Sequence, residues 1–203
     1  HMADNYHWEL SAEREGKLRR ALAAASKRGG NVSAWVDFAY LTERSRVYPA
    51  LADDVLLSFY GKPLTEPYSG LGQQHAAFLD ENLEQGARIL CQRSPGFHAF
   101  ALDLVKQTLD LGFRSIFIDG ASEWRLCHSP HHGHKAPDDT IEGALDWITE
   151  AARLVRQHNP DGYLIGEAPE SFNSQAIDMF TVWWQPGAHT EGLQYVFPEM
   201  LIA

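Results

Sequence analysis

The stretch LGFRSIFIDG, residues 111–120, decides the fold. Residues 115–119 (SIFID) lie between Gly112 and Gly120 and follow an amphipathic segment, so they predict a strand that the chain enters from a helix. The three central residues, 116–118, are all apolar, rather than apolar at every second position. That pattern is typical of a strand covered on both faces, as in a parallel sheet.

Helix and strand patterns alternate outward from this stretch. Ser94-Pro95 predicts the start of a helix that continues to about residue 111, and Asp138 or Asp139 predicts the start of another that ends near His158. Ser11 predicts the cap of a first helix that ends at Gly29-Gly30. The predicted strands are residues 32–39, 87–91, 115–119, 163–166 and 179–183.

This alternation predicts an α/β fold with a parallel sheet and crossover helices. An open doubly wound sheet and a (β/α)8 barrel both fit the pattern, but no G-x-G-x-x-G motif or P-loop supports a nucleotide-binding fold. A complete barrel takes about 250 residues, whereas this chain has 203. The prediction is therefore a partial, half-type TIM barrel with about five parallel strands. It forms one domain over residues 1–203, with a long aromatic-rich binding loop at residues 40–72.

Composition and charge restrict the classes of partner. The formal net charge is −10, from 27 acidic and 17 basic residues, which disfavours a nucleic-acid site because phosphate binding needs clustered Lys and Arg. No apolar run reaches membrane-spanning length, and no signal peptide is recognised. Two cysteines cannot form a disulfide framework, so a reducing compartment, the cytoplasm, is favoured. His1-Met2 resembles a cloning scar, so the natural N-terminus need not be in this sequence.

Asp119 and Glu167 are the principal catalytic candidates. Each is the first acidic residue after an apolar strand, and in a parallel barrel such positions lie at the carboxyl-terminal face, where active sites are built. Glycoside hydrolysis needs two carboxyl groups, one ionised at the sugar ring and one that protonates the leaving oxygen. Acids at strand ends also cap helices or bind metals, so that alternative stays open. Asp37 is either a substrate-binding carboxylate or a buried acid bonded to a neighbouring strand.

The loop CHSPHHGH, residues 127–134, holds four of the ten histidines. Its imidazoles are predicted to bind sugar hydroxyls, with His132 and His134 as the candidates. The alternative is a zinc or other divalent metal site that includes His131, His132 and His134, although the spacing matches no common zinc module. The default prediction has no cofactor and no metal. A thiol nucleophile, Cys91 or Cys127, is the least favoured possibility.

Tryptophans near the strand ends are candidate sugar platforms, because flat aromatic faces pack on the C–H faces of pyranose rings. Trp124, Trp183 and Trp184 are the predicted substrate-binding residues of this kind. Packing in the core is the alternative.

Several of these motifs resemble a known group of proteins. The run CQRSPGF (91–97) and the stretch GFRSIFIDG (112–120) resemble a barrel segment of bacterial glycoside-hydrolase-like proteins. The loop from Cys127 to His134 is similar to a Cys…His-Gly-His loop in a largely uncharacterised branch of them, and Gly166-Glu167, Asp178 and YVFPE (195–199) resemble the elements that follow. More loosely, Asp119 and Glu167 are similar to the aspartate nucleophile and glutamate acid of the α-amylase superfamily. The resemblance spans residues 31–199 and implies a carbohydrate-active barrel.

The predicted function is hydrolysis of an O-glycosidic bond in a carbohydrate substrate. Asp119 is the expected nucleophile or charge stabiliser, and Glu167 the expected general acid/base. A metal-dependent hydrolase and a non-catalytic carbohydrate-binding barrel remnant are the alternatives. Because a half barrel exposes sheet edges and apolar strand faces, we expect two copies to associate as a homodimer that completes the barrel.

Overall fold

The computed structural model describes residues 10–43, 45–66, 87–120, 125–167, 169, 172–181 and 201–202. In these ranges the α-helices are α1 (Ala12–Lys27), α2 (Tyr48–Leu51), α3 (Pro95–Asp110) and α4 (Ile141–His158). The strands are β1 (Ser33–Asp37), β2 (Tyr40–Leu41), β3 (Thr65–Glu66), β4 (Ala87–Ile89), β5 (Ser115–Asp119), β6 (Leu164–Glu167), β7 (Met179–Thr181) and β8 (Leu201–Ile202). Short 3-10 helices cover Ala52–Asp54 and Asn173–Gln175.

Five of the strands form a parallel sheet in the order β1-β5-β6-β7-β8. The α/β class and the parallel sheet are as predicted. Helix α4 connects β5 to β6. The connection from β1 to β5 is longer and contains β2, α2, β3, β4 and α3. A strand, a crossover helix and a second parallel strand form the repeating unit of (β/α) folds.

The two faces of the parallel sheet differ. Side chains alternate between the faces along a strand, and in β5 Ile116 and Ile118 are fully buried whereas Phe117 and Asp119 are partly exposed. The helix-covered face contributes residues to the main core together with α3 and α4. From the sheet these are Ala34, Val36, Ile116, Ile118, Leu164 and Phe180.

The opposite face, here called the acid-bearing face, holds Trp35, Phe117, Ile165 and the last residue of β1, β5 and β6. Trp35 and Phe117 are register partners, and so are Phe117 and Ile165. Trp35 is 42% exposed. In a closed barrel a face of this kind points into the interior.

The starts of α1 and α3 agree with the serine caps predicted from the sequence. The Ser11 side chain accepts a bond from Arg14 N at 3.4 Å, and the Ser94 side chain accepts one from Phe97 N at 3.2 Å, as the two predicted caps require. α4 begins differently. Thr140 occupies its N-cap in a left-handed conformation with φ of 63°, while Asp139 Oδ1 accepts a bond from Ile141 N at 3.1 Å.

Trp147 is the largest fully buried side chain of the core. Its ring lies 5.1 Å from that of Phe38 and 5.6 Å from that of Phe97, measured between ring centroids. Its Nε1 donates to Gln92 Oε1 at 2.8 Å, so the one polar atom of the indole has a partner. This residue therefore joins α4 to α3 and to the turn that precedes α3.

The segment 87–91 is the main correction to the predicted topology. Its strand, β4, is not part of the parallel sheet but the centre of a separate antiparallel sheet with the order β2-β4-β3. A short, mostly apolar segment indicates burial but not the direction of pairing, and the fifth parallel strand is β8. We call this second layer the side sheet.

The side sheet occupies much of the segment predicted as a long loop. Within residues 40–66 the chain forms β2, α2, a 3-10 helix and β3, and residues 67–72 lie outside the described residues. A tight hairpin links Leu57 and Pro63, and at its tip Phe59 and Tyr60 are 77% and 83% exposed.

Polar side chains bind the amino-terminal ends of the parallel strands to the neighbouring loops. Ser115 Oγ donates to Asn31 Oδ1 at 2.8 Å, and Arg114 donates to Asn159 Oδ1 at 2.7 Å. Asp178 Oδ2 accepts a bond from Leu164 N at 2.9 Å, which joins the start of β6 to the segment before β7. These contacts link strand starts to the loops beneath them.

Among the described residues, no helix is both long enough and apolar enough to cross a membrane.

Candidate functional site

Three acids end three neighbouring parallel strands. Asp37 is the last residue of β1, Asp119 of β5 and Glu167 of β6. Asp37 and Asp119 are register partners, and because Ile118 is paired with Gly166, the next positions, Asp119 and Glu167, lie side by side. Register partners on parallel strands point to the same face, so the three acids form a row on the acid-bearing face, at its carboxyl-terminal edge.

Local backbone bonds orient two of these acids. Asp37 is buried, at 5% exposure, and its Oδ1 accepts a bond from Ala39 N at 3.1 Å. Asp119 Oδ1 accepts one from Gly120 N at 2.8 Å. Asp119 and Glu167 are half-buried rather than sealed in the core. Asp37 thus lies deeper than the other two, and its bond to Ala39 is local to its own chain segment.

The arrangement places two carboxyl groups on adjacent strands, whose spacing is about 4.8 Å. In retaining glycosidases the two carboxyl groups are about 5–5.5 Å apart, and in inverting ones about 6.5–9.5 Å. Adjacent strand ends therefore suit a pair in which one carboxylate attacks and the other moves a proton.

A second cluster lies beside the side sheet and contains Cys91, Cys127, His132 and His134. One ligand-type atom from each lies within 4.8 Å of all the others. The distance from Cys91 Sγ to His134 Nε2 is 3.5 Å, and that from Cys127 Sγ to His132 Nδ1 is 3.3 Å. Both cysteines are free and fully buried, and His132 is 3% exposed.

Electrostatics within this cluster favour negative charge on one sulfur. The hydrogen bond that Cys91 donates lowers the pKa of Cys127, although burial opposes this and His132 assists it. The same bond, with burial, raises the pKa of Cys91. Burial disfavours charge on the His132 ring, but the bond to Cys127 and the attraction of its thiolate outweigh burial, so the pKa of His132 is raised.

The remaining predicted residues have different positions. His131 is exposed and is not part of the four-residue cluster. His132 and His134 belong to that cluster, so the structure brings them to the two cysteines rather than into the row of acids. Trp124, Trp183 and Trp184 lie outside the described residues.

Cys91 is the member of the cluster that the sequence did not associate with the histidine loop. It follows β4 and is far along the chain from His134, so no local spacing linked them. The sequence offered one indication, since Cys91 is the only other cysteine in the chain and stands at the end of a predicted strand. Its backbone N donates to Asp54 O at 2.8 Å, which holds it next to the 3-10 helix at Ala52–Asp54.

No protein-family model matches the chain, and no curated protein sequence matches it. Solved structures with a similar fold include several glycoside hydrolases. The α-galactosidase of Thermus thermophilus has a TM-score of 0.52 at 14% identity, and the match covers 91% of this chain and 34% of that one. The α-N-acetylgalactosaminidase of Bifidobacterium bifidum has a TM-score of 0.64 at 9% identity, with 88% and 26% covered. The α-amylase of Geobacillus thermoleovorans has a TM-score of 0.51 at 16% identity, with 83% and 34% covered.

At these identities the comparison establishes a shared fold. The chain spans between about a quarter and a third of the length of these enzymes. The sequence-based expectation of a glycosidase-like α/β fold is therefore confirmed at the level of architecture.

Proposed function

We propose that the chain carries the catalytic acids of a glycoside hydrolase, with Asp119 as nucleophile and Glu167 as general acid/base. The observation that carries the proposal is the position of these acids at the carboxyl ends of two adjacent parallel strands, on one face of the sheet. In parallel α/β sheets this edge is where substrates bind. The fold shared with glycosidases supports the proposal.

The proposed reaction assigns one task to each acid. Asp119 attacks the anomeric carbon and forms a glycosyl ester, while Glu167 gives its proton to the leaving oxygen. Glu167, now ionised, then takes a proton from water as that water attacks the ester and releases the sugar and the free Asp119 carboxylate. Both acids are half-buried, which leaves part of each carboxyl group open to a substrate.

The test uses this chain and a panel of p-nitrophenyl glycosides that includes the α-D-galactopyranoside, the ligand of the Thermus α-galactosidase structure. Asp119→Asn and Glu167→Gln are each expected to lower kcat/KM by about 10²–10⁴-fold, because each removes a charge or a transferable proton and keeps the shape. Release of nitrophenolate is the measurement. Glu13→Gln, at an exposed position of α1, is the matched control and should keep full activity.

Other outcomes favour other functions. If both amide variants keep most of the activity, the assignment is wrong. If a chelator abolishes hydrolysis while the amide variants remain active, the metal-dependent alternative is favoured. Sugar-induced thermal stabilisation without hydrolysis favours the carbohydrate-binding alternative, in which the pocket is retained and turnover is lost.

A further inference from the structure

We propose that Cys91, Cys127, His132 and His134 bind one zinc ion that fastens the loop after β5 to the side sheet. The four side chains come from two places in the chain: Cys91 follows β4, and the others belong to the loop after Asp119. The proposal does not depend on the glycosidase assignment, because none of the four residues belongs to the row of acids.

The distances in the cluster agree with tetrahedral zinc. With Zn–S bonds of about 2.3 Å and Zn–N bonds of about 2.0–2.1 Å, the sulfur–nitrogen edge of a tetrahedron is about 3.6 Å. The two sulfur–nitrogen distances are 3.5 Å and 3.3 Å. All four atoms lie within 4.8 Å of one another, so the longest pair needs to close by at most about 1–1.5 Å to reach the edges of a ZnS₂N₂ tetrahedron, about 3.3–3.8 Å.

The orientation of His132 also fits a metal ligand. Its Nε2 donates to Asp53 O at 2.7 Å, so in the neutral ring Nδ1 carries the lone pair, and Nδ1 is the atom that faces Cys127. Histidines bound to metals commonly give their other N–H to a carbonyl oxygen in this way, which fixes the tautomer and the ring orientation.

His134 supplies an independent indication. Its Nδ1 is buried and has no hydrogen-bond partner among the described residues, and its Nε2 contacts only the sulfur of Cys91. A buried polar ring held by one weak sulfur contact is costly. Coordination through Nε2 would give this ring one strong partner in place of the weak sulfur contact, although Nδ1 would still have none among the described residues.

Ligand chemistry and burial indicate a structural ion. Two cysteines with two histidines form a closed S₂N₂ set that leaves no position for water or substrate, as in structural zinc sites. When zinc binds, any proton that remains on either sulfur passes to solvent, and two thiolates balance the charge of the ion. Both cysteines are completely buried, so a substrate could not reach either sulfur as a nucleophile.

The packing around the cluster explains what the ion would stabilise. The second hydrophobic cluster of the chain is small, and both cysteines belong to it. Its buried members are Ala39, Tyr40, Leu56, Ala87, Ile89, Cys91 and Cys127. Small cores commonly need a metal or a disulfide. The loop also contacts the hairpin that precedes β3, through the bond from His128 N to Leu57 O at 2.9 Å.

Metal content is the first measurement. The chain, produced with zinc in the medium and purified without chelator, should hold about one equivalent of zinc per chain. Cys91→Ser, Cys127→Ser, His132→Gln and His134→Gln should each lower that content at least tenfold. His131→Gln is the matched control, since His131 is exposed in the same loop, and should keep the zinc of the unmodified chain.

Two readouts on the unmodified chain remain informative if the variants do not fold. Exchange of zinc for Co²⁺ should give the intense visible absorption of tetrahedral cobalt and a thiolate-to-cobalt charge-transfer band. Chelation should lower the apparent melting temperature by about 5–10 °C, and added zinc should restore it.

Three results would overturn the proposal. They are metal content near zero in the unmodified chain, cobalt spectra without thiolate ligation, and a Cys91–Cys127 disulfide that resists alkylation until a reductant is added. Loss of zinc with unchanged hydrolysis would leave the glycosidase proposal standing. Zinc retained in an inactive chain would contradict the glycosidase proposal alone.

Discussion

Gly120 holds the backbone that follows the proposed nucleophile. Its φ is +73°, its N donates to Asp119 Oδ1, and a Cβ added there would lie 2.5 Å from Ala39 Cβ. A left-handed conformation costs an L-residue about 1–2 kcal/mol, and overpacking adds about 1–3 kcal/mol. Both effects act beside a candidate catalytic carboxyl group.

We therefore expect Gly120→Ala to lower the free energy of unfolding by about 2–5 kcal/mol, as measured by urea denaturation. Gly29→Ala is the matched control, because Gly29 also has a positive φ, of +78°, but nothing lies within 4 Å of its Cβ position. It should lose only the conformational part, about 1–2 kcal/mol. Equal losses at the two sites would contradict the close contact with Ala39.

The acids at the strand ends illustrate how much a single sequence reveals. Asp119 and Glu167 were predictable as neighbours at one edge, because each directly follows an apolar strand and parallel strands end at the same side. The depth of Asp37 was not predictable, since its burial depends on the chain that covers it. Cys91 was missed for a related reason: its approach to His134 is a long-range contact with no local pattern.

At the scale of elements, α4 is positioned by a close approach to the turn before α3. Gly143 lies in α4, and a Cβ added there would be 2.3 Å from Gln92 O and 2.8 Å from Arg93 Cα. Backbone atoms cannot move aside as the end of a flexible side chain can. The same turn holds Gln92, whose side chain accepts the bond from Trp147.

Gly143→Ala should therefore be destabilising, although alanine is a better helix former than glycine. We expect a loss of about 1–3 kcal/mol from overpacking. Gly16→Ala in α1 is the comparison, because its Cβ position meets only the flexible end of Arg20 at 3.3 Å. It should gain about 0.5–1 kcal/mol. Thermal or urea unfolding of both variants measures the difference, and a gain in both would show that α4 and the turn are loosely packed.

The helices and strands differed in how far sequence determined them. α3 was predicted with its cap and its extent, because Ser94-Pro95 and the 3.6-residue period act locally. The direction of β4 was not predicted, because residues 87–91 are apolar except for Arg88 and the segment is short enough to fit either sheet. Pairing partners are set by tertiary context rather than by the strand itself.

For the whole molecule, the acid-bearing face is the feature with consequences for association. Trp35, at 42% exposure, lies in register with Phe117 on this face. Exposed tryptophans are frequent anchors of protein interfaces. The expectation that two copies associate as a homodimer that completes the barrel remains a prediction.

Size-exclusion chromatography with light scattering should find a dimer at micromolar concentration. Trp35→Ser should weaken the association by about tenfold or more, because it removes the apolar anchor. Tyr60→Ser is the control: Tyr60 is 83% exposed on the side-sheet hairpin, away from the parallel sheet, and its loss should not change the mass. A monodisperse monomer in the unmodified chain would refute the expected dimer.

The starts and the ends of the parallel strands carry different groups. Polar fastenings such as Ser115–Asn31 and Asp178–Leu164 lie at the strand starts, whereas Asp37, Asp119 and Glu167 lie at the strand ends. Substitutions should therefore be tolerated better at the ends of the strands than at their starts. Changes to the loops after Asp37, Asp119 and Glu167 would leave the polar contacts at the strand starts intact. This scaffold is therefore suited to laboratory evolution toward new substrates without a matching loss of foldability.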